Sequence, residues 1–144
     1  MLLLPKRLDS EDVITLSGSL EENARMFTVG LVTGGSEPDH QNVACQIEVN
    51  FPSNGADRIA IKIIQDGNDE IVNDNNQATD YFPPGGKLEF DVKFKVRNQS
   101  NLYVYVGPSY LDKIQLKHYV NDIRFLAVNG DVKVTKMEYE FNQN

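Results

Sequence analysis

Tryptophan is absent from this chain of 144 residues, and cysteine and histidine are scarce. Because Cys45 is the one cysteine, no internal disulfide can form, and its place on the apolar side of an alternating segment predicts a buried, inert thiol. The two histidines, His40 and His118, have no second ligand at metal-binding spacing. We therefore expect neither a metal site nor a bound cofactor.

Long hydrophobic runs are missing as well. The apolar residues 1–4 are broken by Pro5, which leaves a run well short of the roughly 7–15 residues of a signal-peptide core. Nothing approaches the about 20 apolar residues that cross a bilayer. These features predict a cytoplasmic protein without membrane insertion. The net charge of −7 argues against nucleic acid and anionic membranes as partners, because both carry charge of the same sign.

What the chain does contain is alternation of apolar and polar residues, the period of a strand with one buried face. The polar residues of segment 43–51, "VACQIEVNF", therefore form either a solvent-exposed face without a function or a functional surface. Turn formers at 97–101 predict a hairpin, and 17–27 is predicted to be a loop with at most one helical turn. We predict one all-β domain over 1–144, an antiparallel sandwich of two sheets. The predicted strands cover 12–16, 26–33, 43–51, 58–64, 87–96, 102–106, 113–117, 122–128 and 131–141.

Other polar and aromatic segments give weaker signals. Residues 66–80 are dense in Asp and Asn but fail the EF-hand spacing, which favours a polar, mobile loop over a calcium site. Paired carboxylates occur without any nucleophile or phosphate-loop motif, so we expect no enzyme. The tyrosines either line a groove or cap the edges of the sandwich. They are concentrated at Tyr103, Tyr105, Tyr110 and Tyr119.

Six segments follow one another along the chain: "SGSL", "FTVGLV", "NVACQIEVNF", "YFPPGGKLEFDVKF", "LYVYV" and "HYVNDIRFLAVNGDVKVTKMEY". Their order resembles that of a galectin carbohydrate-recognition domain. Galectins carry Gly-x-Leu, Pro-Phe-x-x-Gly, F-x-H-R and a segment ending in Gly-Asp-Val. The corresponding positions here are Gly18-Ser19-Leu20, Phe82-Pro83-Pro84-Gly85, Lys117-His118 and 123–132. The resemblance implies a galectin-like jelly-roll sandwich that acts as a non-catalytic lectin.

A galectin holds galactose through His-x-Asn-x-Arg on one strand, Val-x-Asn on the next and Trp-Gly-x-Glu-x-Arg on the third. Aligned without gaps, the first strand here carries Gln46, Glu48 and Asn50 instead. The Val-x-Asn positions fall at Ile61 and Ile63, and the tryptophan position falls near residues 70–71 in a chain that has no tryptophan. The resemblance therefore implies a divergent site, on the concave side of the sandwich, with little or no affinity for lactose.

Two functions remain open at this point. In the first, the groove binds a different glycan or glycoprotein through the three β-strand residues Gln46, Glu48 and Asn50, joined by Lys62, Asp74, Asn75 and Asn76. In the second, the domain is a protein-interaction module, and Ile61 or Ile63 forms an apolar spot for a protein partner or a homodimer. A glycosidase ranks last, because it needs two carboxylates about 5–10 Å apart. Galectins are exported without a signal peptide, so an extracellular location is also compatible with this sequence.

Overall fold

A computed structural model describes residues 1–83, 85–86 and 88–141. Within these residues eleven strands form two antiparallel sheets, which confirms the predicted two-sheet sandwich. The predicted hairpin is confirmed too, since residues 98–100 join two paired strands. The strands are β1 (Leu2–Leu3), β2 (Val13–Leu20), β3 (Met26–Gly34), β4 (Pro38–Asn50), β5 (Arg58–Gln65), β6 (Asn68–Asn76), β7 (Glu89–Arg97), β8 (Asn101–Val106), β9 (Ser109–Gln115), β10 (Ile123–Gly130) and β11 (Val132–Glu140).

The six-stranded sheet has the order β1-β10-β3-β4-β5-β6, and the five-stranded sheet has the order β11-β2-β7-β8-β9. Short helices at Pro52–Asn54, Ala78–Tyr81 and Val120–Asp122 connect strands. None of the helices in the described residues is long and apolar enough to span a membrane. Two residues of the predicted motifs, Pro84 and Lys87, lie outside the described residues.

The core lies between the sheets because each strand buries every second side chain. On β4, Ile47 is 0% exposed and Val49 is 1% exposed, and Phe94 of β7 meets this core from the other sheet at 1%. At one end of the sandwich Phe27 contacts three further phenylalanines, with ring centroids 5.2–6.2 Å away. This arrangement leaves the outer faces of both sheets as the surfaces on which polar side chains gather.

The prediction of a loop over residues 66–80 is wrong. Residues Asn68–Asn76 form β6, the edge strand of the six-stranded sheet, after a tight turn at Asp66 and Gly67, both with positive φ. Asn and Asp have low strand propensity, but pairing with β5 satisfies the backbone groups of this segment. The loop predicted over 17–27 is also shorter in the structure, because β2 extends to Leu20 and β3 begins at Met26.

Strand β9 is displaced from its predicted range of 113–117, since it runs over Ser109–Gln115. The turn predicted by Asn129-Gly130 is the point at which the chain passes from β10 in one sheet to β11 in the other. Gly130 has φ +107°, and a Cβ atom there would lie 2.5 Å from the carbonyl oxygen of Met26. No residue with a side chain fits this crossing without a shift of the β3 backbone.

Candidate functional site

Gln46, Glu48 and Asn50 lie on the outer face of the six-stranded sheet, the side turned away from the five-stranded sheet. They alternate along β4 with Cys45, Ile47 and Val49, which are buried in the core. The three polar residues are partly exposed, and the side chain of Glu48 is 34% exposed. Their neighbours are determined by the register of β4 with β3 on one side and β5 on the other.

Three cross-strand rows build this outer face. Directly opposite residues of an antiparallel pair project to the same side of the sheet, with Cβ atoms about 4.5–5.5 Å apart. The rows are Gly30–Gln46–Lys62–Ile71, Thr28–Glu48–Ala60 and Met26–Asn50–Arg58. Beyond the first row the face ends in a small apolar cluster of Val32, Val43 and Phe125.

Ion pairs connect the charged side chains of this face. The Lys62 ammonium lies 3.8 Å from Oε2 of Glu48 and 3.4 Å from Oδ2 of Asp69. The Arg58 guanidinium lies 3.4 Å from Oδ2 of Asp74. All five side chains are partly exposed, and such pairs contribute at most about 1 kcal/mol each. Exchanging these ion pairs for contacts with a ligand therefore costs little free energy.

Asn50 is held by a hydrogen-bond chain at the other end of the face. The side-chain amide of Asn54 donates to Oδ1 of Asn50 at 3.1 Å, and the Arg25 guanidinium donates to Oδ1 of Asn54 at 3.1 Å. Asn54 belongs to the short helix that follows β4. The position of the Asn50 amide thus depends on the loop after the strand, which sequence alternation does not reveal.

The prediction that Ile61 and Ile63 face the groove is wrong. They are 0% and 1% exposed and pack in the core, where Ile61 lies opposite Ile47. A strand has a period of two, so an assignment displaced by one residue turns the wrong set outward. The outward residues of β5 are Arg58, Ala60 and Lys62, followed by Ile64, which packs against the Val32, Val43 and Phe125 cluster. Alternation in "RIAIKII" was the signal that could have identified Arg58.

Strand β6 divides its predicted site residues between two sides. The ion pair with Arg58 brings Asp74 to the outer face. Asn76 lies opposite the fully buried Ile59, so it faces the other sheet, and its placement in the groove is wrong. The cause is a pair of register shifts between β5 and β6, which break the simple alternation.

Hydrogen bonds confirm the inward direction of this part of β6. The Asn76 amide donates to Oδ1 of Asn73 at 3.0 Å, and the Asn73 amide donates to Oδ2 of Asp112, on β9 of the opposite sheet, at 2.9 Å. Asn75 is exposed, and its backbone N–H donates to the same oxygen of Asn73 at 3.3 Å. Asn73 thus links the two sheets at the edge of the sandwich.

Ile71 is the exposed apolar side chain beside the polar rows. It is 54% exposed and lies opposite Lys62, and it is one of the two residues, 70 and 71, near which the galectin resemblance puts the tryptophan position. Small residues leave room between the longer side chains, with Gly30 beside Gln46 and Ala60 beside Glu48. Polar groups that orient a ligand, with an apolar side chain beside them, are both present on this face.

Cys45 takes no part in this face. It is fully buried, which confirms the predicted inert thiol, and burial raises the pKa of the thiol far above its ordinary range. In the part of the chain that the structure describes, no three His, Cys, Asp or Glu side chains come together as metal ligands. The chemistry available on the outer face is hydrogen bonding, ion pairing and apolar contact.

Comparison with known proteins identifies the family of this chain. The family model of the galactoside-binding lectins matches residues 1–139. No curated protein sequence matches the chain. The structure is similar to sheep galectin-11, solved with glycerol, at a TM-score of 0.73 and 16% identity over 96% of both chains.

Two further solved structures share the fold. The Caenorhabditis elegans galectin LEC-6 has a TM-score of 0.73 and 11% identity, over 97% of this chain and 90% of that one. CG-16, a homodimeric agglutinin from chicken liver, has a TM-score of 0.72 and 17% identity, over 96% of this chain and 98% of that one. Because the family model spans nearly the whole chain, the protein belongs to the galactoside-binding lectins, the galectins.

Proposed function

We propose that this galectin binds a neutral glycan other than a β-galactoside on the outer face of its six-stranded sheet. Galectins are lectins and are generally not catalysts. The observation that carries the proposal is the cross-strand lattice in which Gln46, Glu48 and Asn50 share a face with Arg58 and Lys62. This set offers amide, carboxylate and cationic groups to sugar hydroxyls but no aromatic ring.

The chemistry of each side chain suits hydroxyl groups. The Glu48 carboxylate accepts hydrogen bonds, the amides of Gln46 and Asn50 both donate and accept, and Arg58 and Lys62 donate. With Asp69 and Asp74 included, the face holds three carboxylates and two cations. That balance supports a neutral glycan rather than an acidic one.

The departure from the galectin code supports altered specificity. His, Asn and Arg of the first strand are replaced by residues with different donor patterns, and Asn50 in particular lacks the charged fork of an arginine. Ile71 provides apolar contact for the C–H face of a sugar, without the specific ring geometry of tryptophan. Both changes favour a sugar other than galactose and little or no affinity for lactose.

The alternative function is a protein-interaction module, acting on a partner or as a homodimer. Its support was an apolar spot at Ile61 or Ile63, and both side chains are buried in the core. Beside the polar rows of this face, the exposed Ile71 is by itself a small apolar surface for a stable interface. The lectin function is therefore the better supported of the two.

A broad glycan array tests the proposal with two matched variants. Glu48→Ala removes the carboxylate at the centre of the lattice, whereas Glu89→Ala removes an exposed carboxylate on β7 of the other sheet. We expect specific glycan signals that fall by about tenfold or more in Glu48→Ala, as for loss of a charged hydrogen bond, and persist in Glu89→Ala. Unchanged melting temperatures establish that both variants are folded.

Two results would overturn the proposal. Glycan signals that survive Glu48→Ala would place sugar binding elsewhere on the molecule. A blank array, together with a tightly bound protein that co-purifies with the wild type but not with Ile71→Asp, would favour the interaction module.

A further inference from the structure

The outer face of the five-stranded sheet carries a cluster of tyrosines. Tyr103 and Tyr105 project from β8, where the intervening Val104 is buried, and Tyr110 projects from β9. The ring of Tyr110 lies 5.7 Å from that of Tyr105, with an interplanar angle of 72°, and 6.4 Å from that of Tyr103. Tyr110 is 52% exposed. The three tyrosines therefore form a ridge on the sheet opposite the one that carries Gln46, Glu48 and Asn50.

Cationic side chains flank this ridge in the same cross-strand rows. Tyr103 lies between Lys95 of β7 and Lys113 of β9, and Tyr105 lies opposite Lys93. The Lys93 ammonium is 5.8 Å from the ring centroid of Tyr105, and the Arg97 guanidinium is 5.9 Å from that of Tyr103. We call this surface the tyrosine–lysine face; it comprises Lys93, Lys95, Arg97, Tyr103, Tyr105, Tyr110 and Lys113.

The charge of the tyrosine–lysine face is opposite to that of the chain as a whole. Four of the fourteen Lys and Arg residues gather here, on a protein of net charge −7. Glu11 pairs with Arg97 at 3.7 Å, with both side chains substantially exposed. Asp112 of β9 is directed toward the other sheet by its bond from Asn73. Asp91 lies on the same side of β7, two residues from Lys93, and accepts a hydrogen bond from Ser17. With Glu11 and Asp91 counted against the four cations, the surroundings of the three aromatic rings keep an excess of positive charge.

The distances between the cations suit a ligand whose anionic groups are separated from one another. Lys93 and Lys95 are two residues apart on one strand, which separates them by about 7 Å. Lys95 and Lys113 lie on strands two apart in the sheet, which separates them by about 10 Å. Tyrosine rings pack well against the C–H faces of sugar rings, while ammonium and guanidinium groups bind sulfate. We propose that the tyrosine–lysine face binds a sulfated oligosaccharide.

A nucleic acid is less favoured by the same observations. Its phosphates follow one another continuously, and a strand longer than the patch would meet the acidic remainder of the protein. A short sulfated glycan fits within the patch. This second site lies on the opposite sheet from the proposed sugar site, so the two can be tested independently.

The experiment titrates the protein with a heparin-derived hexasaccharide by calorimetry at about 150 mM salt, where long-range attraction is screened. The test variant is Lys95→Gln with Lys113→Gln, on either side of Tyr103. The matched control is Lys133→Gln with Lys136→Gln, two exposed lysines of β11 in the same sheet. Both variants lose two positive charges.

We expect saturable binding that weakens about tenfold or more in the test variant and less than about twofold in the control, because only the first pair contacts the ligand. Tyr110→Ala should weaken binding about threefold or more through loss of ring contact. A chemically desulfated hexasaccharide should show no binding. Glu48→Ala should retain the affinity of the wild type, which separates this site from the glycan site on the other sheet.

Three results would overturn the proposal. Equal losses in the two lysine variants would mean diffuse attraction by net charge. Tighter binding of a twelve-residue oligothymidylate than of the hexasaccharide would assign the face to single-stranded nucleic acid. A Kd of 1 mM corresponds to a binding free energy of only about 4 kcal/mol. Absence of binding at about 1 mM hexasaccharide would therefore contradict the proposed ligand.

Discussion

Replacement of Phe27 by alanine tests the packing that holds the two sheets together at one end. Phe27 is fully buried on β3, and its ring centroid lies 6.2 Å from Phe51, 5.7 Å from Phe82 and 5.2 Å from Phe90. Phe51 is buried and directly follows Asn50, the last residue of β4 in the six-stranded sheet, and Phe90 belongs to the other sheet. The substitution therefore removes contacts from both layers at once.

The expected cost follows from these contacts. A buried phenylalanine replaced by alanine costs about 3–5 kcal/mol. Edge-on and tilted ring pairs contribute about 0.5–1.5 kcal/mol beyond their buried area, which places Phe27→Ala in the upper half of that range. Since single domains have a total stability of about 5–15 kcal/mol, the variant should remain folded in buffer but unfold at much lower denaturant concentration.

Urea unfolding followed by intrinsic tyrosine fluorescence measures this loss. The control is Phe141→Ala, because Phe141 is 43% exposed, contacts the tilted ring of Tyr139 at a centroid distance of 4.3 Å and lies under the Lys6 ammonium. We expect the control to lose less than about 1.5 kcal/mol. A loss below about 2 kcal/mol for Phe27→Ala would refute the proposed packing of the four rings.

Other predictions concern the sugar site, the buried thiol and two polar contacts. Lactose should give no saturable binding, because three lost hydrogen bonds at about 1–1.5 kcal/mol each remove most of the about 4.1 kcal/mol that a Kd of 1 mM represents; calorimetry showing a Kd below about 1 mM would contradict this. Above the unfolded-state pKa of about 8.5, stability should fall with pH by about 1.4 kcal/mol per unit, because burial raises the pKa of Cys45 only in the folded state. Cys45→Ala should remove that part of the slope in unfolding curves at pH about 8 and 10, and an unchanged slope would argue against it. Tyr139→Phe should cost about 1.5–3 kcal/mol in thermal or urea unfolding, because the hydroxyl donates to the buried Asp12 carboxylate at 3.0 Å; a loss within experimental error would show that Asp12 does not need this donor. Asp74→Ala should change stability by less than about 1 kcal/mol, since its pair with Arg58 is partly exposed on both sides, and a larger loss would mean that the pair is structural.

Alternation predicted much of the fold and part of the outer face that carries Gln46, Glu48 and Asn50. The assignment of Gln46, Glu48 and Asn50 to one side of β4 needed only the period of a strand, and the structure agrees. The same rule applied to "RIAIKII" predicts Arg58, Ala60 and Lys62 on the outside. Alignment to a family pattern placed Ile61 and Ile63 there instead, and a displacement of one residue was enough to exchange core and surface.

Strand β6 shows where local patterns fail. Its Asn- and Asp-rich sequence has low strand propensity, and it is a strand because β5 provides hydrogen-bond partners along its length. Its register shifts place Asp74 outside and Asn76 inside. The composition of the segment does not specify these shifts, because they arise in its pairing with β5.

By itself, the sequence determined that the protein is a sandwich of amphipathic strands, and it identified which residues of β4 are turned away from the core. These are local properties, decided by backbone geometry and by the burial of apolar side chains. Only the tertiary structure decided which strands are neighbours. It brought Arg58 beside Asn50, and it gathered Lys93, Lys95 and Lys113 around the tyrosines of β8 and β9. Net charge alone suggested a uniformly acidic surface, because a sum over the chain carries no information on where strand pairing places each charge.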